Sequence, residues 1–427
     1  MMTVRAFLLW VHDFLLNKSE IRKNVRDIEQ AVLHGHSVET ERINNLLDFC
    51  KLHVPYYKDC KAMELSEFPV VNKAIIRENQ AQFLVEGFDA GKMKAVTTSG
   101  STGTPFTVYH DRRKRLRHSA DNLFFMKFAG YTIGTPLLYL RVWNKYCRHG
   151  VLNSWLTNIK QVEIGNLSDN ILHGLLDDIK RPGRKSMLAF ASTYDALLHF
   201  LNHEKISDVN ADVETIVSMS EHLPEDTRKE IGRIFKAPVV SRYSNMENGF
   251  IAQQPKNESY YIINEASYKV EILDLEQDTP AGLDKVGRIV VTDLFNYSMP
   301  LVRYDTGDLG VFKKVCYEGK ERIVLASVEG RRADSVFQTN GELASSYIVT
   351  NTMWPYKGIK QWQFIQTGKR NYKFLINGTL EDSQKKELEQ TLRGYLGDDA
   401  CFEYKFVDDI PVLSSGKRKM IVNLMKS

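Results

Sequence analysis

The chain lacks most of the features that mark a specialised class of protein. Its five cysteines, Cys50, Cys60, Cys147, Cys316 and Cys401, are scattered, odd in number and form no C-x-x-C pair. No histidine pair at ligand spacing lies near them. A disulfide scaffold and a structural zinc site are therefore not expected, and a reducing, cytoplasmic setting is. Twelve prolines and 26 glycines are too few for a collagen-like or proline-rich chain. Fifty-seven basic against 53 acidic residues leave a formal charge of only +4. That is too little to argue for a nucleic-acid partner, although it permits an anionic small ligand. No internal repeat or low-complexity tract is present. The longest early apolar run, Ala6 to Leu16, is broken by His12 and Asp13 and is too short to span a bilayer. No small-residue cleavage site follows it. The favoured reading is a first helix with one face packed on the core, with a peripheral helix resting on a membrane as the alternative.

What is present supports a packed core. Hydrophobic residues make up 43% of the 427, and that length suits two or three domains. Residues 1 to about 95 read as mainly helical. Glu20–Leu33 and Glu41–Leu52 carry apolar positions at three- and four-residue intervals, and a further helix is predicted around Asn72–Asn79. From Ala95 the texture changes to strands alternating with helices. Helices are predicted at Arg113–Gly130, Asn170–Lys180, Tyr194–Leu201 and Glu225–Phe235. Strands are predicted at Leu137–Val142, Met187–Phe190 and Thr215–Met219. This alternation implies an α/β sheet with helices on its faces. Beyond about Tyr260 a meander of strands follows, and from Gly341 a small α+β unit with a helix at Ser383–Tyr395.

Five segments carry residues suited to chemistry. In Thr97-Thr98-Ser99-Gly100-Ser101-Thr102-Gly103-Thr104-Pro105, two glycines allow close backbone approach and the hydroxyls donate to phosphate oxygens. No lysine follows Gly103, so this is not a P-loop, and the same residues would equally make a surface turn. In Pro300–Asp308, a carboxylate just past a Thr-Gly turn is placed to grip a ribose diol; otherwise the segment is a hairpin turn with a surface ion pair. In Ser241–Gly249, after an apolar run, Tyr243 offers an aromatic face and Glu247 a hard oxygen for Mg²⁺; the alternative is an ordinary Asn/Gly turn. Glu329–Asp334 is a charged junction, and Pro411–Lys419 a basic stretch whose Lys417 would serve as a mobile cation.

In this order the segments resemble one family, the adenylate-forming enzymes. The similarity is to the phenylacetate–CoA ligase branch, and within it to the CapK-like group associated with surface polysaccharides. Val54-Pro55-Tyr56-Tyr57 resembles the VPYY element and Thr98–Pro105 the phosphate loop. Ser220-Glu221 with Leu223-Pro224 resembles the adenine-facing segment, and Tyr243-Ser244-Asn245-Met246-Glu247 the Y-G-x-x-E element. Arg303–Asp308 resembles R-Y-x-T-G-D, Gly330-Arg331 the hinge motif and Ser415-Gly416-Lys417 the terminal S-G-K. Departures are Ser244 in place of glycine, a hinge whose carboxylate is displaced to Asp334 or lost at Ala333, and no basic residue directly after Pro411.

The resemblance implies a large α/β domain of adenylate-forming type over residues 1–332, with a small β-barrel-like part. A small, mobile α+β lid over 333–427 would carry the catalytic lysine. It implies ATP-dependent activation of a small carboxylic acid to an acyl-adenylate, with acyl transfer to CoA or, as the alternative, to an amine or hydroxyl acceptor; a catalytically inactive binding module is the third reading. Thr98, Ser99, Gly100, Ser101, Thr102 and Gly103 would hold phosphates. Ser220, Glu221, Tyr243, Ser244 and Asn245 would surround adenine, Asp308 would bind ribose, and Arg303 and Arg331 would contact the nucleotide. Glu247 would hold Mg²⁺, Lys417 would bridge the attacking carboxylate and the α-phosphate, and Asp334 would serve the hinge.

Overall fold

A computed structural model describes the chain except residues 1–2, 36–38, 99–105, 142, 144–149, 165–168, 332–335, 342, 345–348, 350–351, 354–355, 357, 411–419 and 426–427. The N-terminal region is helical, as its periodicity predicts: α1 (Val4–Asn17), α2 (Glu20–His34), α3 (Glu39–His53) and α4 (Lys73–Glu78). Side-chain oxygens set their starts. The Thr3 hydroxyl accepts from the Ala6 amide at 3.0 Å, and the Asn72 side chain accepts from Ala74 and Ile75. The buried Asp13 carboxylate takes the amides of Ile21 and Arg22 at the start of α2. On α1 the expected packing is reversed. Only Ala6 and Asp13 are buried, whereas the large apolar side chains Val4, Phe7, Phe14, Leu15 and Leu16 are exposed.

The antiparallel pair β1 (Lys94–Thr98) and β2 (Phe106–His110) brackets the hydroxyl-rich loop. Then come α5 (Arg112–Phe128), β3 (Leu137–Arg141), α6 (Val151–Thr157), β4 (Ile159–Glu163), α7 (Asp169–Lys180), β5 (Lys185–Phe190), α8 (Ala191–His203), β6 (Val213–Met219), α9 (Glu225–Phe235), β7 (Val239–Asn245), β8 (Gly249–Gln253) and β9 (Ile262–Ile263). The seven strands β3–β9 form one sheet in the order β4-β3-β5-β6-β7-β8-β9, parallel up to β7 and antiparallel beyond it. β5 is buried along its whole length, which accounts for the apolar run Met187–Phe190 within it. The edge strand β4, IKQVE, carries too little apolar material to be read from sequence. The largest core cluster fills the space between this sheet and α7, α8 and α9.

A second, antiparallel sheet runs β10 (Tyr268–Leu273), β11 (Val286–Asp293), β12 (Tyr304–Tyr317) and β13 (Lys320–Arg331). Here one expectation is corrected. Thr306-Gly307 is not a hairpin turn but lies within the single strand β12. The register passes from Arg288↔Leu309 to Val290↔Asp305, so Thr306, Gly307 and Asp308 bulge opposite Ile289. Gly307, at φ +78°, supplies the left-handed residue that the bulge needs. After the short pair β14 (Val336–Phe337) and β15 (Leu343–Ala344), a mixed sheet of β16 (Ile359–Gln366), β17 (Asn371–Gly378), β18 (Cys401–Phe406) and β19 (Ile421–Asn423) packs against α10 (Asp382–Leu396) around its own core.

Candidate functional site

The site is built where the tip of the β7–β8 hairpin meets the β12 bulge. Glu247 sits at the tip, only 2% exposed. One carboxylate oxygen takes both the Lys73 ammonium, from the first turn of α4, and the Tyr304 hydroxyl at 3.2 Å. The tip is pinned from beneath. The His110 ring nitrogen Nε2 meets the Glu247 carbonyl at 2.9 Å, and the Tyr268 hydroxyl donates to the Asn248 carbonyl at 2.5 Å. Tyr268 in turn accepts from Lys114, whose ammonium pairs with Asp293 at 2.5 Å with both side chains fully buried. The Asn248 amide donates to Asn245 Oδ1 at 2.7 Å. Gly249, at φ +103°, is required here, because a Cβ would lie 2.6 Å from His118 Nδ1.

Beside this tip, the bulge aims Asp308 at Tyr243. The Tyr243 hydroxyl donates to Asp308 Oδ2 at 2.8 Å and lies 3.3 Å from Thr306 Oγ1, which itself donates to the Ile289 carbonyl. Burial, reinforced by the neighbouring carboxylates, holds the phenols of Tyr243 and Tyr304 well above their ordinary pKa, so both stay donors. Burial, and then Lys114, lowers His110 to about 4. At neutral pH its ring is uncharged, and an Nε2–H donates to the Glu247 carbonyl. Phe106, directly after the hydroxyl-rich loop, stacks on Tyr304 with centroids 6.4 Å apart. Phe106, the first residue of β2, is thereby held against the ring whose hydroxyl donates to Glu247.

Known proteins of this shape give the arrangement a context. Residues 336–424 match the CapK C-terminal domain family. The chain is 21% identical to Protein CapK of Staphylococcus aureus, over 91% of this chain and 89% of that one. The fold matches 2-hydroxyisobutyryl-CoA ligase, solved with 2-HIB-AMP in the postadenylation state, at a TM-score of 0.71 and 15% identity, over 91% of this chain and 89% of that one. ATP-bound MatB from Rhodopseudomonas palustris matches at 0.56 and 16% identity, over 76% of this chain and 66% of that one. The chain thus resembles Protein CapK through most of its length, and its fold is that of 2-hydroxyisobutyryl-CoA ligase.

The other sequence-derived candidates are distributed unevenly. Arg303 does not join the cluster. It is 3% exposed, at φ +47°, and its guanidinium is spent on Glu271, on the carbonyls of Ser66 and Phe68 and, more weakly, on that of Asp278. Glu221 accepts from the Ser192 amide at 2.9 Å, at the first turn of α8, where a carboxylate complements the helix dipole. Ser220, just before it, holds φ +66°. Ser244 and Asn245 pair with Phe250 and Gly249 across the hairpin. Arg331 stands opposite Asp308 in the β12–β13 register. Thr98 ends β1, opposite Phe106. Ser99, Gly100, Ser101, Thr102, Gly103, Asp334 and Lys417 lie outside the described residues. Sequence reasoning missed Lys73, His110, Lys114 and Tyr268. None sits in a motif-like segment, and each reaches the hairpin tip only through the tertiary fold.

Proposed function

We propose that this chain activates a small carboxylic acid with ATP and then passes the acyl group to CoA. A carboxylate oxygen attacks the α-phosphorus, the bond to pyrophosphate breaks, and an acyl-adenylate forms. The thiol sulfur then attacks the acyl carbon and AMP leaves. The observation that carries this reading is the pairing of Glu247 and Asp308 at one place, fixed by Tyr304 and Tyr243, with Phe106 at the start of β2 stacked on Tyr304. Asp308 is suited to accept from both ribose hydroxyls, and Tyr243 to present its ring to adenine beside Ser220, Glu221, Ser244 and Asn245. Thr98, Ser99, Ser101, Thr102 and the amides of Gly100 and Gly103 would hold the phosphates. Arg331 would contact ribose or phosphate. Lys417 would bridge the attacking carboxylate and the α-phosphate, held on a lid that begins near residue 333 with Asp334 at its hinge.

The donor set fits Mg²⁺, which takes one or two carboxylates and draws its remaining ligands from water and phosphate oxygens. Glu247 would hold it, and it would neutralise charge as two anions approach. Lys73, already on the same carboxylate oxygen, adds a second cation at that point. Cys50, Cys60, Cys316 and Cys401 are free thiols, consistent with a cytoplasmic setting. The hinge sequence Gly330-Arg331-Arg332-Ala333-Asp334 and the likeness to Protein CapK favour, as a second reading, transfer to an amine or hydroxyl acceptor.

The test is ATP–pyrophosphate exchange over a panel of carboxylic acids, followed by CoA or amino sugars and detection of AMP with a new thioester, amide or ester. Exchange with one acid class is expected, with loss of orders of magnitude in Lys417→Ala. No exchange with any acid overturns adenylation, and normal exchange in Lys417→Ala removes that lysine from the first step.

A further inference from the structure

The first helix is built inside out for a globular protein. Val4, Phe7, Leu8, Val11, Phe14 and Leu15 recur at three- and four-residue intervals, which places them on one face of α1. A stripe of this kind ordinarily faces the core. Here the helix packs inward through Ala6 and Asp13, while Val4, Phe7, Phe14, Leu15 and the adjoining Leu16 are between 53% and 76% exposed. Trp155, 54% exposed on α6, lies beside the same helix, with its carbonyl accepting from Arg5 at 2.7 Å. Single exposed apolar residues need no explanation; five on a 14-residue helix, four of them on one stripe, mark a contact surface.

The charges around the stripe identify what it contacts. The only acid on α1, Asp13, is buried under the start of α2. The rim is basic. Arg5 lies over the Trp155 ring, Arg22 over Trp10, and Lys18 caps the helix. Arg112 donates to the Leu16 carbonyl and to Asn17 Oδ1. With Arg115, it lines an open groove at the end of α1, together with Asn17, Leu116 and Ser119. None of these five cations has a carboxylate within ion-pair distance among the described residues, although most of the helix-surface cations elsewhere do, as in Lys23–Glu20, Lys127–Glu29 and Arg233–Glu230.

We propose that α1 lies in the plane of an anionic phospholipid surface. Its apolar stripe enters the acyl boundary, and Arg5, Lys18, Arg22, Arg112 and Arg115 meet headgroup phosphates. An apolar stripe without exposed acid, rimmed by unpaired cations and flanked by tryptophan, is the composition of an interfacial helix. A second copy of this chain would bring the same cations against one another, which disfavours self-association through this face. No described helix is long and apolar enough to cross a membrane, so the contact is peripheral.

Co-sedimentation of the full chain with vesicles tests this. Binding is expected to phosphatidylglycerol–phosphatidylcholine vesicles, at least tenfold weaker to phosphatidylcholine alone, and weakened by added salt. Phe14→Ser with Leu15→Ser should reduce binding at least tenfold without lowering the thermal midpoint, because both side chains are already in solvent. Arg112→Gln with Arg115→Gln should reduce the preference for anionic lipid. Three results would overturn the proposal: no binding to anionic vesicles, binding undiminished by the serine variant, or a vesicle-free dimer that the serine variant abolishes.

Discussion

Arg303→Lys separates two roles that sequence and structure assign differently to one residue. As part of an R-Y-x-T-G-D segment, Arg303 is a candidate nucleotide contact; in the structure it is a buried clamp. Its guanidinium reaches Ser66 O at 2.7 Å, Phe68 O at 2.9 Å, Glu271 Oε1 and Oε2 at 3.1 and 3.2 Å, and Asp278 O at 3.4 Å. A lysine keeps the charge but offers at most three donors from one point, so at least two of these five contacts are lost. Hydrogen bonds to charged groups contribute about 1.5–3 kcal/mol each, which puts the loss near ~3 kcal/mol or above. At roughly 2–4 °C per kcal/mol for domains of this order, the thermal midpoint should fall by about 6 °C or more. The assay pairs thermal unfolding with steady-state kinetics on the folded enzyme. A KM for ATP within twofold of wild type is expected alongside the lower midpoint. An unchanged midpoint with a tenfold higher KM for ATP would refute the clamp and restore the nucleotide contact.

Further outcomes follow from the same geometry. Asp308→Ala should raise the KM for ATP while sparing the fold, since Tyr243 loses only one partly buried acceptor; an unchanged KM contradicts the ribose role. Lys73→Met leaves the buried Glu247 carboxylate with only the Tyr304 hydroxyl and should cost about 2–3 kcal/mol in urea unfolding. Adding Glu247→Gln should recover much of that cost, and a double variant no better than Lys73→Met would disprove the coupling. His110 stays neutral in the fold down to about pH 4, whereas an unfolded chain takes the proton near 6.5. Stability from this residue is therefore intact above pH 6.5 and falls as the pH drops towards 4, by about 1.4 kcal/mol per pH unit. His110→Gln should flatten the stability–pH curve by that slope, and parallel curves for the two proteins would show that His110 does not titrate this way.

Much of the architecture was legible because hydrophobic period is a local property. α2, α3, α5, α7 and α9 fall within a few residues of the spans expected from apolar spacing, and β5 and β6 from short buried runs. Glu247, Asp308 and Tyr243 stood out in the sequence because they lie in short, ordered polar segments that resemble adenylate-forming motifs, and the structure brings the three together. Two things were not legible. β4 is an edge strand with little apolar content, and the Thr306–Gly307 segment has the composition of a turn. Only its pairing with β11 on one side and β13 on the other turns it into a bulged strand.

Taken alone, the sequence determined the class of fold, the order of the motifs and the acids available for chemistry. These depend on periodicity and residue type, which do not require knowing what lies across the chain. The tertiary structure decided which partner each charge finds. It gave Arg303 to Glu271, placed Lys73 on Glu247, buried His110 beneath the hairpin tip and turned the apolar stripe of α1 outward. The first three are contacts between residues far apart in the chain, and the energy of such a contact depends on burial and distance that no local pattern encodes.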